Sequence, residues 1–364
     1  MNNYPIVTKK MVSENKSVKK VQKESKKSYK YQRSRYVKAK LSKLVKETGY
    51  LDMIGESKQE NIQTIDKKDL LLEIEKAQLT GMSGNGFPTY KKLKVVLESS
   101  SENRVVIING AECDPGLIHD EWLIRNRLGD IILGSKLVSD MISAKDVFLA
   151  TRLKKGFESI EGIKVKPLPN RYPMGAENIL IKQTLGIELD KNVIPATVGI
   201  LVINVQTVIK IAEIYRGVYL KNSRYITVAD YVEGQAKVVR VSYDSNAQDI
   251  LEKVFGKQNN KVKYLGAGVM NAHEMNKEDK IGPTVNFIGY GEQTSYDEAS
   301  KCKKCRRCSK NCPMGIKVHK IIGAYEKKQK VDARIYGTEN CINCGTCTFV
   351  CAAGKNTMKI VNEI

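Results

Sequence analysis

Eight of the nine cysteines of this 364-residue chain lie between Cys302 and Cys351. They fall into two runs of identical spacing, C-x2-C-x2-C-x3-C: Cys302, Cys305, Cys308 and Cys312, then Cys341, Cys344, Cys347 and Cys351. No other feature restricts the fold as strongly. Three thiolates on one tight loop can cap three corners of an iron–sulfur cubane, while the fourth faces away and reaches a second cluster. The pattern predicts two 4Fe–4S clusters, one held by Cys302, Cys305, Cys308 and Cys351, the other by Cys341, Cys344, Cys347 and Cys312. Disulfides are disfavoured, because the basic N-terminus has no apolar leader segment and reducing compartments keep thiols free. Zinc sites use two C-x2-C pairs or Cys/His mixtures, not a doubled four-cysteine run. Pro313 follows Cys312, whereas Ala352 follows Cys351; the proline shapes a turn and ligates nothing.

The formal net charge of +21, from 61 Lys+Arg against 40 Asp+Glu, is unevenly placed. Residues 1–50 carry 15 Lys/Arg and 3 Asp/Glu. This predicts a basic, partly disordered N-terminal arm over 1–65, suited to solubility or to docking on an acidic redox partner. Val37, Leu41, Leu44 and Val45, at helical spacing, predict a short helix beginning within 36–65. A nucleic-acid role has charge as its sole support, with no zinc-finger, RNP-like or helix-turn-helix pattern beside it. No apolar run approaches the ~18 residues of a membrane helix. The expectation is a cytoplasmic protein without a transmembrane segment, peripheral membrane association staying open.

Between the arm and the cysteines the pattern alternates. Helical KKDLLLEIEKAQL, which Asp66 would cap, leads into a glycine-rich loop, GMSGNGFPT. The strands RVVIING, VFLA and GILVIN are interleaved with helical segments. This predicts a layered α/β domain over 66–222. YITVADY, AKVVRVSY, AQDILEKVF and VKYLG predict a small α+β domain over 223–292. The cluster domain, helical between its cysteine runs, fills 293–364. In the loop, Gly81, Gly84 and Gly86 let backbone approach a planar or phosphorylated ligand, although the order G-x-x-G-x-G is not the dinucleotide fingerprint. The turn NGAECDPG follows a strand, and ligands of open α/β sheets bind at the carboxyl ends of strands. Asn109, Glu112 and Asp114 are well placed there.

Taken in order, LLLEIEKAQLTGMSGNGFPTYKKLK, VVIINGAECDPGLIHDEWLI, NRYPMGAENILIKQTLG, VGILVINVQTV, YLGAGVMNA and the doubled cysteine run resemble the C subunit of the Rnf electron-transport complex. That family is related to the flavin- and NADH-binding subunit of respiratory complex I. The chain is also similar to smaller soluble relatives that serve proline reductase. The resemblance spans about residues 66–355. It implies that 66–222 binds FMN and NAD(H) and that 223–292 is β-grasp-like. Gly81, Gly84, Gly86, Phe87 and Lys92 would line the flavin, with Phe87 also holding the nicotinamide nucleotide. Asn109 and Glu112 would contact the flavin; Tyr172, Gly175 and Glu177 would border both ligands. Asn204 and Thr207 would lie near the flavin phosphate, at a helix N-terminus suited to anions. Ser83 and Asn85 stand where the family has small residues, Asp114 where a glutamate is common, and Gln206 where an acidic or small residue is typical. The lone Cys113 reads as packing, and His119, His273 and His319 as surface or packing residues. The implied activity passes electrons from NADH through FMN and two clusters to a partner reductase, such as proline reductase, or to a ferredoxin-like carrier. No side chain acts as acid, base or nucleophile. The alternative is a non-enzymatic relay subunit of a larger redox complex that has lost flavin and NADH.

Overall fold

The computed structural model describes residues 45–55, 64–112, 114–153, 160–190, 193–292, 300–329 and 332–363. Of the arm expected over 1–65, residues 1–44, with Val37, Leu41 and Leu44, and 56–63 lie outside these residues, as does Cys113. Lys46–Asp52, inside the 36–65 stretch in which a short helix is expected to begin, is a strand, β1. It pairs in parallel with Gln235–Ser242 (β7). Tertiary pairing overrides the local periodicity here: Tyr50 stacks on Trp122 at 4.7 Å between ring centroids, a contact no isolated helix would offer.

The α/β layer is built on a four-stranded parallel sheet, Val105–Gly110 (β2), Asp146–Thr151 (β3), Lys164–Pro167 (β4) and Ile200–Asn204 (β5), in the order β4-β3-β2-β5. Side chains alternate across a strand. In β2, Val106 and Ile108 therefore join the core beneath helices α1 (Leu70–Lys76), α2 (Thr89–Leu97), α3 (His119–Asn126), α4 (Leu128–Ile142) and α6 (Val205–Tyr215). Ile107 points the other way, onto Leu180 and Ile181 of α5 (Glu177–Leu185). The helical stretch after the NGAECDPG turn breaks into α3 and α4 at Arg127. Its guanidinium holds the Tyr225 hydroxyl at 2.6 Å and Glu213 at 3.0 Å. From β2 the chain moves to one side for β3 and β4, then to the other for β5. The switch point therefore lies between the carboxyl ends of β2 and β5.

The second sheet is mixed. The hairpin Ser223–Asp230 (β6) and β7 is followed by α7 (Ala247–Phe255). Val262–Gly266 (β8) and His273–Glu274 (β9) come next, and Phe287–Gly291 (β10) then inserts parallel to β6. The resulting strand order is β1-β7-β6-β10-β8-β9. Ile226, Val228, Ile288 and Tyr290 pack toward Ile250 and Leu251 of α7, the grasp of a sheet around one helix. Gln206 stitches the two sheets together: buried in α6, it accepts from the Tyr225 amide at 2.5 Å and donates to the Tyr225 carbonyl at 3.2 Å. In the C-terminal layer α8 (Val318–Glu326) and α9 (Thr357–Glu363) pack Ile321, Ile322, Ile360 and Val361 around the cysteines.

Candidate functional site

Two sites, one of thiols and one of polar groups, meet at Ile342 and Cys344. Cys312, Cys341, Cys344 and Cys347 line one small cavity, with Ile316, Val318, Met358 and Val361 as apolar wall. These are the four residues expected to hold one cluster, three from the second run and the crossing Cys312. Burial pushes the Cys344 thiol up to about 11 and Cys347 higher still, and the nearby Cys312 adds to both. Cys308, also pushed up to about 11 by burial, feels Cys351 and Cys302, members of the other expected set. One quartet, and three thiols of the other set, thus gather across the two runs rather than within them. The soft thiolate donors fit iron–sulfur clusters, and protons must leave these buried thiols when the clusters are inserted. Cys308 and Cys312 are buried, while Cys305 is exposed.

At the switch point lies a cavity of about 480 Å3, within the range of small-molecule sites. Among the sequence-derived candidates, Gly84, Lys92, Asn109, Glu112, Tyr172, Gly175, Glu177 and Asn204 line it. Gly81, Gly86, Phe87 and Thr207 do not. Phe87 is half exposed, and Thr207 accepts the Met82 amide at 3.0 Å, holding the glycine loop onto α6. Gly84 is required twice over: its φ is +106°, and a Cβ there would come within 3.0 Å of Ala267 in the second sheet's layer. Ser83 and Asn85 stand in the wall without closing the cavity.

The polar wall is organised by Asn204, which caps α6. Its Oδ1 accepts from the Gln206 amide at 2.9 Å, and its Nδ2 donates to Asp120 at 2.9 Å. Asn204 thus places the start of α6 at the edge of the cavity. Lys92 pairs with Glu177 at 2.8 Å. Glu112 is held at a φ of +25° and accepts from the Glu121 amide at 2.6 Å. Its other oxygen, together with Asp120 Oδ1 and Asn271 Oδ1, is buried without a hydrogen-bond partner among the described residues. Such atoms carry a desolvation cost that a polar ligand would relieve. A planar, heteroatom-rich ligand with an anionic arm fits this wall.

His119 also lines the cavity, although it reads in the sequence as a surface or packing residue. Burial, then the nearby Arg224, pushes it down to about 3, so it is neutral. Its one sequence signal is its place seven residues after Glu112. Burial raises Glu112 well above the usual carboxylate range, with Asp120 and Glu121 adding to it, and raises Asp120 to about 7. Asp114 is also buried. It accepts from the Val269 and Met270 amides at 2.6 and 3.3 Å, joining the α/β layer to the second sheet.

Burial lifts Asp114 from an ordinary 3.8 to about 7. The folded state therefore holds a proton that the unfolded chain releases. The associated stability is complete below the unfolded value and is lost as pH rises through about 7. Asp114→Asn, which keeps an acceptor for both amides, is expected to flatten the fall in stability between pH 4 and pH 7. Urea denaturation of the cofactor-free protein at several pH values reads this, and a slope equal to the parent's would refute it.

Residues 74–213 match the family described as the Nuo51 FMN-binding domain, and residues 294–352 match the 4Fe-4S dicluster domain. The chain is 28% identical over 275 residues to the C subunit of a proton-translocating ferredoxin:NAD(+) oxidoreductase complex of Clostridium ljungdahlii, covering 70% of this chain and 58% of that one. It is 29% identical over 273 residues to the C subunit of an ion-translocating oxidoreductase complex of Vibrio cholerae, covering 71% and 35%. The chain thus spans between about a third and three-fifths of the length of these relatives. Among solved structures, a chain of an NAD+-reducing NiFe-hydrogenase in the air-oxidized state shares the fold. Its TM-score is 0.57 at 15% identity, covering 82% of this chain and 61% of that one. No helix among the described residues is long and apolar enough to cross a membrane. Over about 70% of its length the chain is similar to the C subunits of ion-translocating oxidoreductase complexes, and it joins a match to the Nuo51 FMN-binding domain and a match to the 4Fe-4S dicluster domain in one polypeptide.

Proposed function

We propose that this chain is a cytoplasmic, NADH-dependent electron-transfer protein. Electrons would enter at the switch-point cavity and leave through the two clusters to a partner reductase or ferredoxin-like carrier. One observation carries the reading: Cys344 belongs both to a thiol quartet and to the wall of the cavity. A ligand in that cavity is next to a cluster ligand, with no further protein layer to cross.

FMN, when bound, supplies the exchange between two-electron hydride chemistry and one-electron transfer. The chain's own residues bind and orient. Lys92 offers a phosphate a cation, released from Glu177 or shared with it, and Asn204 would lie beside the phosphate at the start of α6. Asn109 is fixed by its bond to the Gly175 carbonyl at 3.0 Å, so its carbonyl edge has a set direction. Asp120 and Asn271 offer acceptors to ligand N–H or O–H groups, and Glu112, whose burial favours its protonated form, offers an O–H.

The test is anaerobic reconstitution with iron, sulfide and FMN, removal of unbound cofactor, and titration with NADH under the spectrophotometer. Retained flavin and bleaching of both flavin and cluster absorbance are expected. Retained iron with no flavin and no response to NADH would leave a relay subunit and overturn the proposal. Lys92→Ala is expected to weaken FMN binding by about tenfold, the loss of one charge-assisted contact. Quenching of flavin fluorescence measures it, and an unchanged affinity would remove Lys92 from the site.

A further inference from the structure

The two cysteine runs share a spacing but not an environment. In the second run, the residues flanking Cys344 that adopt left-handed backbone are Asn343 (φ +51°) and Gly345 (φ +70°). Both types tolerate that region, and Gly345 is packed so closely that a Cβ would lie 2.7 Å from the Met270 carbonyl oxygen. In the first run the same two positions, flanking Cys305, are Lys304 (φ +51°) and Arg306 (φ +58°). Neither residue type favours such backbone, and neither is packed: both are exposed, as is Cys305 itself. Lys301, Lys303, Arg307 and Lys310 are exposed beside them, and no acidic residue lies between 300 and 312. Arg306, Lys317 and Lys320 also crowd His319, on the helix behind the loop. Glu326, which accepts the Cys302 amide at 2.8 Å, is countered by Lys355 at 3.3 Å.

Backbone strain retained at an exposed position, where packing does not demand it, points to function. We infer that the Lys301–Lys310 loop is the docking face for a small acidic one-electron carrier protein, which exchanges electrons with the cluster nearest Cys305. The inference rests on the proposed relay for its direction of travel: the cavity meets Cys344, and the exposed ligand belongs to the other set. Complementary charge would speed encounter and set orientation over the exposed ligand.

The experiment uses the full chain with both clusters reconstituted and reduced by dithionite, so neither NADH nor flavin is involved. Stopped-flow mixing with ferricyanide or hexaamminecobalt(III) takes one electron from a reduced cluster and leaves iron(II) or cobalt(II). Binding of an acidic two-cluster ferredoxin is measured alongside. Ferricyanide is expected to react faster, and its rate to fall about tenfold between about 20 mM and about 300 mM salt. The ferredoxin is expected to bind at the lower salt only. Lys304→Asn with Arg306→Gly, the second run's residues, should raise the melting temperature and slow ferricyanide at least threefold with iron content unchanged. Lys304→Glu with Arg306→Glu should slow ferricyanide and speed hexaamminecobalt(III), each relative to the parent, and reverse the salt dependence of both. Rates indifferent to salt and to both variants, or ferredoxin binding that is absent or survives the charge reversal, would overturn the assignment. Failure to respond to NADH, by contrast, would count against the relay reading alone.

Discussion

Cys344→Ala is expected to lower bound iron from about eight to about four per chain, and to uncouple the remaining cluster from the cavity. Cys344 is one of four thiols around a single small cavity and also stands in the wall of the larger one. Its loss should therefore remove the nearer cluster while leaving the one near exposed Cys305. Dithionite should still reduce that surviving cluster, and NADH should not. Cys305→Ala should do the reverse: about four irons remain, and NADH reduces them. The crossing of ligands makes the expectation sharper. Cys312→Ala should erase the same electron-paramagnetic signal as Cys344→Ala, although Cys312 belongs to the other run, and Cys351→Ala should match Cys305→Ala. Signals that instead followed the sequence runs, Cys312 with Cys305, would sink the assignment. The variants retain the α/β core, which lies on different elements, so circular dichroism should distinguish cluster loss from unfolding.

Much of this arrangement was legible in the chain because its determinants are local. The cysteine spacing states which thiols share a loop, and the crossing follows from where a fourth residue must point. The parallel strands could be read because strands covered on both faces are continuous apolar runs: VVIIN and ILVIN are such runs, and both are covered by helices. The exposed β4, of sequence KVKP, carried no such signal. The cavity wall was legible where the lining residue lies in a turn after a strand, as with Asn109 and Glu112, or caps a helix, as with Asn204. It was not legible where long-range packing decides. Thr207 reads as an anion contact from its place in a helix's first turn, yet it is covered by the glycine loop and serves that loop's amide. His119 and Asp120 lie in an ordinary-looking first turn of a helix. Only the approach of β6, through the Thr227 hydroxyl 2.9 Å from His119 Nδ1, puts them into the wall. The strand β1 was missed because its partner is nearly two hundred residues away in sequence.

Arg224→Ala is expected to cost about 3–5 kcal/mol, more than a surface arginine could. The side chain is fully buried, on β6, and its guanidinium donates to the carbonyls of Met82, Gly282 and Pro283 and to Asn286 Oδ1. Met82 lies in the glycine loop; Gly282 and Pro283 lie in the turn leading to β10. One cation therefore ties the glycine loop to both halves of the second sheet. Burial lowers Arg224 to about 10, which leaves it charged at neutral pH. Removing it strands several buried acceptors at once, each with its own desolvation cost. It also takes the counter-charge away from Asp120, whose carboxyl Arg224 holds down against burial. Asp120 donates nothing when ionised and lies bonded to Asn204, so the cavity wall should loosen together with the core. Two readouts separate these effects. Urea denaturation should show the destabilisation in cofactor-free protein. At temperatures where the variant is still folded, its FMN affinity should fall while its iron content stays at the parent's value. Arg224→Lys retains the charge but cannot span the four acceptors, and should recover part of the stability. A variant within about 0.5 kcal/mol of the parent, the range of an ordinary surface substitution, would show that these bonds do not hold the loop.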